Sequence, residues 1–156
     1  NKKTEEVLFK KLIEETLMLL KNDIVTHKIK VTVNCDQDEK VSIIPNEFKH
    51  VLINLISNSK DSFKVHQVKN KKINIDVYEK KDSVIISVDD NAGGIPLNII
   101  DDIFKANVTS KEEGKGTGIG LYMSKMIIEK IGGTIHVENK NSGARFIISF
   151  KLNTMI

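Results

Sequence analysis

The sequence predicts an α+β fold in which a layer of helices packs against a β-sheet. Apolar residues recur at the spacing of amphipathic helices in residues 7–24, 46–65 and 118–131. Between these segments, apolar and polar residues alternate with the two-residue period of half-buried strands. Strands and helices follow one another in blocks, without the strict βαβ order of a parallel sheet, and this order favours a two-layer α/β sandwich.

The N-terminal third is predicted to contain one helix, two short strands and the start of a second helix. Thr4 can cap the first helix. The carboxylates of Glu5 and Glu6 in its first turn would interact favourably with the positive end of the helix dipole. Short strands are predicted for "IKVTVNC" and "KVSII", which flank the turn "DQDE". Pro45 is expected to open the second helix, because a first turn does not need the N–H that proline lacks.

The remainder of the chain is predicted to contain two hairpins on either side of a glycine-rich segment. The first hairpin joins "KINIDVYEK" to "SVIISVDD" near Lys81 and Asp82. Residues 91–117 are charged, rich in glycine and weakly periodic, which is more typical of an active-site lid than of a connector. A helix over residues 118–131 is expected to stop at Gly132 and Gly133, and "TIHVEN" and "ARFIISFKL" then form a hairpin around "KNSG".

Composition and charge exclude several classes of function. One domain spanning residues 1–156 is predicted, since this length and an apolar content of 40% suit a single core. The net charge of +3, from interleaved acidic and basic residues, argues against nucleic acid or an anionic membrane as a partner. Cys35 has no second cysteine and no metal-ligand spacing around it, which favours a reducing compartment. We therefore expect a cytoplasmic domain without direct membrane contact, a location compatible with a parent protein anchored in the inner membrane.

The stretch "GKGTGIGL" at residues 114–121 places four glycines immediately before a helix. It is not a P-loop, because Thr109 stands where that motif has its first glycine. It is not the dinucleotide fingerprint either, because Leu121 stands at the third glycine position. The spacing Gly116-x-Gly118-x-Gly120 offers unshielded N–H groups at a helix N-terminus, where a polyphosphate can approach closely. A flexible loop that ends in a helix cap is the alternative.

A polar stripe runs along the predicted second helix. His50, Asn54, Asn58 and Asp61 fall on one face of the segment "HVLINLISNSKDSF". The opposite face carries Phe48, Val51, Leu52, Leu55, Ser59 and Phe63. An amide oxygen in such a stripe is a suitable ligand for a Mg²⁺ ion that is held mainly through nucleotide phosphates. The alternative is an ordinary solvated helix face.

The stretch "SVDDNAGGIP" joins a strand that ends in carboxylates to a turn with two adjacent glycines. A carboxylate at the end of a strand can accept a hydrogen bond from an exocyclic amine, and glycines let a flat ring lie against the backbone. This arrangement would favour adenine over guanine. A type I turn that simply carries Asp and Asn is the alternative.

Together and in this order, these stretches resemble the ATP-binding catalytic domain of sensor histidine kinases, in the superfamily that includes DNA gyrase, MutL and the heat-shock chaperone ATPases. The resemblance covers residues 29–152. "NLISNSKDS" resembles the N box, whose pattern is NLxxNAxxA, and "DNAGGI" resembles the first glycine box. "IFKANVTSK" resembles the F box, "GKGTGIGL" is similar to the second glycine box, and "GARFIISF" is similar to the closing strand with its small residues Gly143 and Ala144.

The resemblance implies a mixed sheet of about five strands, three main helices, an ATP lid, and ATP and Mg²⁺ as cofactors. It assigns Asn58 to Mg²⁺, Asp90 to the adenine amine and Gly94 to the close approach beside the ring. Asn54 and Lys111 are the implied catalytic residues. The implied nucleotide-binding residues are Asn54, Asn58, Asp61, Asp90, Ala92, Gly94, Ile95, Phe104, Thr109, Ser110, Lys111, Lys115, Gly116, Thr117, Gly118, Ile119, Gly120 and Leu121.

The chain also departs from the family pattern in the first glycine box and in the F box. Ala92 replaces the first glycine of its box, and Ala106 and Asn107 replace the proline and phenylalanine that often follow Phe104. Gyrase-like ATPases carry a glutamate general base where this chain has Asn54. An amide cannot take a proton from water at neutral pH, so the γ-phosphate is left for another nucleophile, which favours a kinase over an ATPase.

The nucleophile that the family uses is a histidine on a separate helical dimerisation domain, and the phosphate then passes to a response regulator. None of His27, His50, His66 and His136 lies in a helical H-E/D-x-x-P context. We therefore expect the acceptor histidine on a phosphoacceptor domain of the same parent kinase, and a monomeric state for the isolated domain. The alternatives are a nucleotide-binding scaffold without catalytic activity and, less favoured because of Asn54, a gyrase-type ATPase.

Overall fold

The computed structural model describes residues 3–36, 40–106 and 120–152. Its elements, in chain order, are β1 (Glu5–Val7), α1 (Phe9–Leu19), α2 (Lys21–Thr26), β2 (Lys30–Cys35), β3 (Val41–Ile43), α3 (Pro45–Val65), β4 (Lys72–Lys80), β5 (Ser83–Asp90), a single 3₁₀ turn (Ile100–Asp102), α4 (Gly120–Lys130), β6 (Thr134–Lys140) and β7 (Gly143–Lys151).

A mixed sheet of five strands forms one layer, in the order β2-β4-β5-β7-β6. β2 pairs with β4 in parallel, and the other neighbours are antiparallel. Both predicted hairpins are confirmed, and each turns at a residue with positive φ, Lys81 (57°) and Asn141 (56°). Because β5 lies between β4 and β7, its last residue, Asp90, is at the end of the central strand.

The helices form the second layer, with α3 packed between α1 and α4. Phe9 and Phe48 lie 4.9 Å apart between ring centroids, and Phe9 also stacks on Phe150 of β7 at 5.9 Å. β5 buries alternate residues, Val84, Ile86 and Val88, in the core that joins the layers. The predicted α+β two-layer sandwich is confirmed.

The N-terminal segment corrects one prediction. Thr4 caps no helix, because Glu5–Val7 form β1, which pairs antiparallel with β3 in a separate two-stranded sheet. The helix begins at Phe9 and is interrupted at Leu20, between α1 and α2. A cap is worth about 1 kcal/mol, whereas this pairing covers a β3 strand whose Val41 and Ile43 are buried in the core. Tertiary pairing therefore overrides the local signal.

No helix in residues 3–36, 40–106 or 120–152 has the length and apolar character needed to cross a membrane.

Candidate functional site

Asp90 is fixed from three sides. Its Oδ1 accepts hydrogen bonds from the backbone N–H groups of Ala92, at 3.0 Å, and Ala144, at 3.1 Å. Its Oδ2 accepts the hydroxyl of Ser59 at 2.6 Å. The carboxylate is half-buried, and a carboxylate oxygen has two lone pairs, so Oδ2 can accept a further donor from a ligand. The arrangement suits recognition of an amine.

The turn after Asp90 is bound to the β6–β7 hairpin. The N–H of Gly93 donates to the carbonyl of Ser142 at 2.8 Å. Asn139 accepts from the N–H of Ile95 at 2.8 Å and donates to the carbonyl of the same residue at 2.9 Å. Gly94 has φ +79°, and a Cβ there would lie 2.8 Å from the Asn139 side chain. The structure therefore requires glycine at position 94 even without a bound ring.

Gly143 allows the start of β7 to approach the backbone at the end of β5 closely. A Cβ on this residue would lie 1.6 Å from the backbone carbonyl oxygen of Asp90 and 2.9 Å from the Cα of Asn91. The next residue, Ala144, supplies one of the N–H groups that hold the Asp90 carboxylate. Gly143 thus lets the start of β7 come near enough to orient Asp90.

Asn54 links the middle of α3 to the first turn of α4. Its amide nitrogen donates to the carbonyl of Gly120 and to the hydroxyl of Ser124, each at 3.3 Å. Ser124 is buried and donates in turn to the Gly120 carbonyl at 2.9 Å. A carboxylate at position 54 could not donate to either acceptor. This network therefore requires an amide at position 54.

The predicted polar stripe on α3 is confirmed as a geometric feature. His50 is exposed, and Asn54, Asn58 and Asp61 are half-buried. The predicted opposite face is buried throughout: Phe48, Val51, Leu52, Leu55, Ser59 and Phe63. Asn58 lies one turn after Asn54, on the same face of α3.

The two aspartates at the end of β5 have different partners. Successive residues of a strand point to opposite faces of a sheet, so Asp89 and Asp90 point to opposite faces. Asp89 forms a two-point ion pair with Arg145, and both hydrogen bonds are 2.8 Å long. These hydrogen bonds raise the pKa of the Arg145 guanidinium above its ordinary value. Asp90 points to the helix side of the sheet, where Ser59 of α3 contacts it.

The other predicted site residues lie in three places. Phe104 packs edge-on against Phe146 at 6.2 Å, and Lys125 lies 6.0 Å from its ring centre, so the F-box phenylalanine is anchored on the core. Gly120 and Leu121 begin α4. The remaining predicted residues lie outside the described residues, as does Asn107 of the F box: Thr109, Ser110, Lys111, Lys115, Gly116, Thr117, Gly118 and Ile119.

Three polar residues of the site were not predicted from the sequence. Ser59 was assigned only to the inward face of α3, and Ser124 and Asn139 were not assigned at all. A serine on an inward helical face needs a hydrogen-bond partner, which is a signal that could have drawn attention to Ser59 and Ser124. Asn139 lies on an exposed hairpin arm, and we find no sequence signal for its role.

We expect Asn54→Asp to lower the free energy of unfolding by about 1–3 kcal/mol, because two donated hydrogen bonds are lost and a carboxylate then faces the Gly120 carbonyl. Urea unfolding near neutral pH measures the change. Asn98→Asp adds the same charge at an exposed position and serves as the control. Equal stabilities of the two variants would show that the Asn54 network contributes nothing.

Comparison with known proteins agrees with this geometry. Residues 43–154 match the family model described as histidine kinase-, DNA gyrase B-, and HSP90-like ATPase. The chain belongs to this family. Within it, the chain is similar to sporulation kinase A of Bacillus subtilis strain 168, with 34% identity over 148 residues, which are 94% of this chain and 23% of that protein. The sensor protein KdpD of Clostridium acetobutylicum is 32% identical over 155 residues, which are 97% of this chain and 16% of that protein.

Solved structures of histidine kinases have the same fold. The catalytic domain of histidine kinase ThkA, in a nucleotide-free form, superposes with a TM-score of 0.81 at 30% identity, with 95% of each chain covered. ThkA in complex with the response regulator protein TrrA gives a TM-score of 0.75 at 26% identity, with 97% of this chain and 42% of the ThkA chain covered. The predicted resemblance to a histidine kinase ATP-binding catalytic domain is confirmed, and the chain spans less than a quarter of the two curated relatives described above.

Proposed function

We propose that this chain binds Mg-ATP and transfers the γ-phosphate to a histidine on a separate dimerisation domain, as the kinase half of a two-component signalling system. The observation that carries the proposal is the Asp90 carboxylate, which is held by two backbone N–H groups and Ser59 at the end of the central strand. Membership in the histidine kinase-like ATPase family supports ATP as the ligand.

In this proposal, Asp90 accepts a hydrogen bond from the adenine amine, and the turn that carries Ala92, Gly94 and Ile95 lies beside the ring. Ala92 is buried and small, and the hydrogen bonds of Asn139 hold the backbone of Ile95 in place. The protein's own hydrogen bonds therefore hold the turn, which limits the entropy lost on binding.

The metal ligand proposed here is the amide oxygen of Asn58. Among the described residues, no group of three or more His, Cys, Asp or Glu side chains could hold a metal ion. A single amide oxygen from Asn58 fits Mg²⁺, which keeps several waters and is bound through one or two protein oxygens together with substrate phosphates. When bound, Mg²⁺ neutralises negative charge on the phosphates. Lys111 and the glycines of residues 116–120 are proposed to contact the phosphates as well.

Asn54 favours transfer of the phosphate over hydrolysis. Its amide donates to Gly120 and Ser124, and an amide is not basic enough to remove a proton from water. The acceptor that the family resemblance implies is an imidazole, and we propose that its nitrogen attacks the γ-phosphorus while the bond from that phosphorus to the β-phosphate oxygen breaks and ADP leaves.

The partners proposed for this domain are the dimerisation and phosphoacceptor domain of its parent kinase and a response regulator. The complex of the similar kinase ThkA with a response regulator supports the second partner. We further propose that residues 1–156 form one domain that is monomeric when isolated and works in the cytoplasm, a location compatible with a parent protein anchored in the inner membrane.

Calorimetric titration tests the binding half of the proposal. We expect ATP to bind more tightly in the presence of Mg²⁺ than in the presence of a chelator, and more tightly than GTP under the same conditions. Equal binding of ATP and GTP, or no binding of either, would contradict the proposed site.

We expect Asn58→Ala to abolish the Mg²⁺ dependence of ATP binding while the protein stays folded, because one of the few protein oxygens available to the metal is removed. Loss of an ordinary surface amide changes stability by no more than about 0.5 kcal/mol. Titrations with ATP, with and without Mg²⁺, measure the effect. Asn46→Ala, at an exposed position of the same helix, is the control and should keep the metal dependence. If Asn58→Ala also keeps the Mg²⁺ dependence of ATP binding, Asn58 is not the metal ligand.

A further inference from the structure

Ser59 has a buried hydroxyl that packing alone does not require. The residue lies on the inward face of α3 and is 1% exposed. Its hydroxyl donates to Oδ2 of Asp90 at 2.6 Å, the short distance of a charge-assisted hydrogen bond. The N-box pattern NLxxNAxxA has alanine at this position, so an alanine fits the fold, and the hydroxyl adds a contact that the pattern does not contain.

The hydrogen bond controls how the Asp90 carboxylate can rotate. Oδ1 is fixed by the N–H groups of Ala92 and Ala144, but a carboxylate held at one oxygen can still pivot about that oxygen. Ser59, on the inward face of α3, holds the other oxygen, Oδ2. With both oxygens held, the plane of the carboxylate has a single orientation.

The hydrogen bond also determines which hydrogen-bonding groups remain available beside Asp90. A serine hydroxyl has one proton, and Ser59 gives it to Asp90. Its oxygen then offers only lone pairs, as do the oxygens of Asp90. The pair therefore presents acceptors alone: an amine at position 6 of a purine can donate to it, whereas a carbonyl oxygen at the same position would face like partial charges.

We propose that Ser59 is a positioning and specificity-determining residue for base recognition, which orients the Asp90 carboxylate toward a 6-amino purine and keeps its own proton from a 6-oxo purine. This inference rests on the proposed function, in which Asp90 contacts the base. Ser59 acts through Asp90, so its effect depends on the 6-amino group of the nucleotide.

The test compares Mg²⁺-bound ATP, GTP and purine riboside triphosphate, which lacks the 6-amino group, by calorimetric titration. For Ser59→Ala we expect ATP affinity to fall about fivefold, the equivalent of one hydrogen bond, and affinity for purine riboside triphosphate to change less than about twofold. Ser57→Ala is the matched control, because Ser57 lies on the same helix and lines a different cavity, beside Leu20 and Ile24. It should leave all three affinities unchanged.

A second comparison separates positioning from a general structural effect. In an Asp90→Asn background, Ser59→Ala should change ATP affinity less than about twofold, because the acceptor that Ser59 orients toward the amine has already been replaced by a donor. Cysteine has a size similar to serine and a weak S–H donor, so Ser59→Cys provides the same comparison if Ser59→Ala does not fold.

The outcomes distinguish this inference from the proposed function. If the unmodified protein binds ATP and purine riboside triphosphate equally well, the amine is not recognised, and both the role of Asp90 and the inference are overturned. If the protein prefers ATP and Ser59→Ala keeps that preference in full, Asp90 recognises the base and the role of Ser59 alone is overturned.

Discussion

Gly143→Ala is expected to lower the free energy of unfolding by at least about 3 kcal/mol. The added Cβ would lie 1.6 Å from the carbonyl oxygen of Asp90, and neither atom belongs to a flexible side chain that could move aside. The start of β7 would have to separate from the end of β5, and the Ala144 N–H would then lose its hydrogen bond to Asp90. ATP affinity should therefore fall in any protein that remains folded.

Urea unfolding followed by circular dichroism measures this change, and titration with Mg-ATP measures the effect on the site. Ser142→Ala is the control, because it alters the neighbouring exposed residue and keeps the carbonyl that accepts from Gly93. It should change stability by no more than about 0.5 kcal/mol. An unchanged unfolding midpoint for Gly143→Ala would mean that the close passage between β5 and β7 is not required.

Asp90→Asn is expected to weaken ATP binding by about 1–3 kcal/mol and to change GTP binding little. The amide oxygen can still accept from the N–H groups of Ala92 and Ala144, so we expect the fold to survive. Its NH₂ group then occupies the position of Oδ2. The adenine amine would meet a second donor there in place of an acceptor. The carboxylate does not stabilise bound GTP, so its replacement should change the GTP affinity little.

A competition titration with ATP and GTP measures the selectivity of each variant. Asp89→Asn is the matched control, since it removes one charge at the adjacent residue and weakens the ion pair with Arg145 on the other face of the sheet. It should lower stability without changing the ratio of ATP to GTP affinity. Equal losses of ATP and GTP affinity in Asp90→Asn would show that Asp90 does not recognise the base.

Local periodicity was sufficient to predict most of the fold. The α3 helix was predicted because its polar and apolar residues follow the helical repeat and Pro45 marks its start, and the hairpins were predicted from alternation around short polar turns. The N-terminal strand was missed because nothing local indicates it. Thr4, Glu5 and Glu6 have the pattern of a helix start, and only the distant β3 strand makes an extended conformation favourable.

The sequence predicts single residues of the candidate site but not their partners. Asp90 and Asn58 are predicted from motif resemblance, and the same resemblance points to the small residues Gly143 and Ala144 without a physical reason. The contacts that explain them join positions 31 and 54 residues apart, from Ser59 to Asp90 and from Asp90 to Ala144. Such long-range contacts depend on the order of strands in the sheet, which a single sequence does not specify.

Transfer of labelled phosphate tests the central claim most directly. The chain would be incubated with Mg²⁺ and ATP labelled at the γ-phosphate, together with the dimerisation domain of its parent kinase made as a separate protein. The account predicts label on the dimerisation domain that is lost in acid and retained in base, as phosphohistidine is, and much less label with Asp90→Asn. Release of free phosphate without labelled protein would identify an ATPase, and ATP left unconsumed would identify a non-catalytic nucleotide-binding scaffold; either result would contradict the proposed kinase.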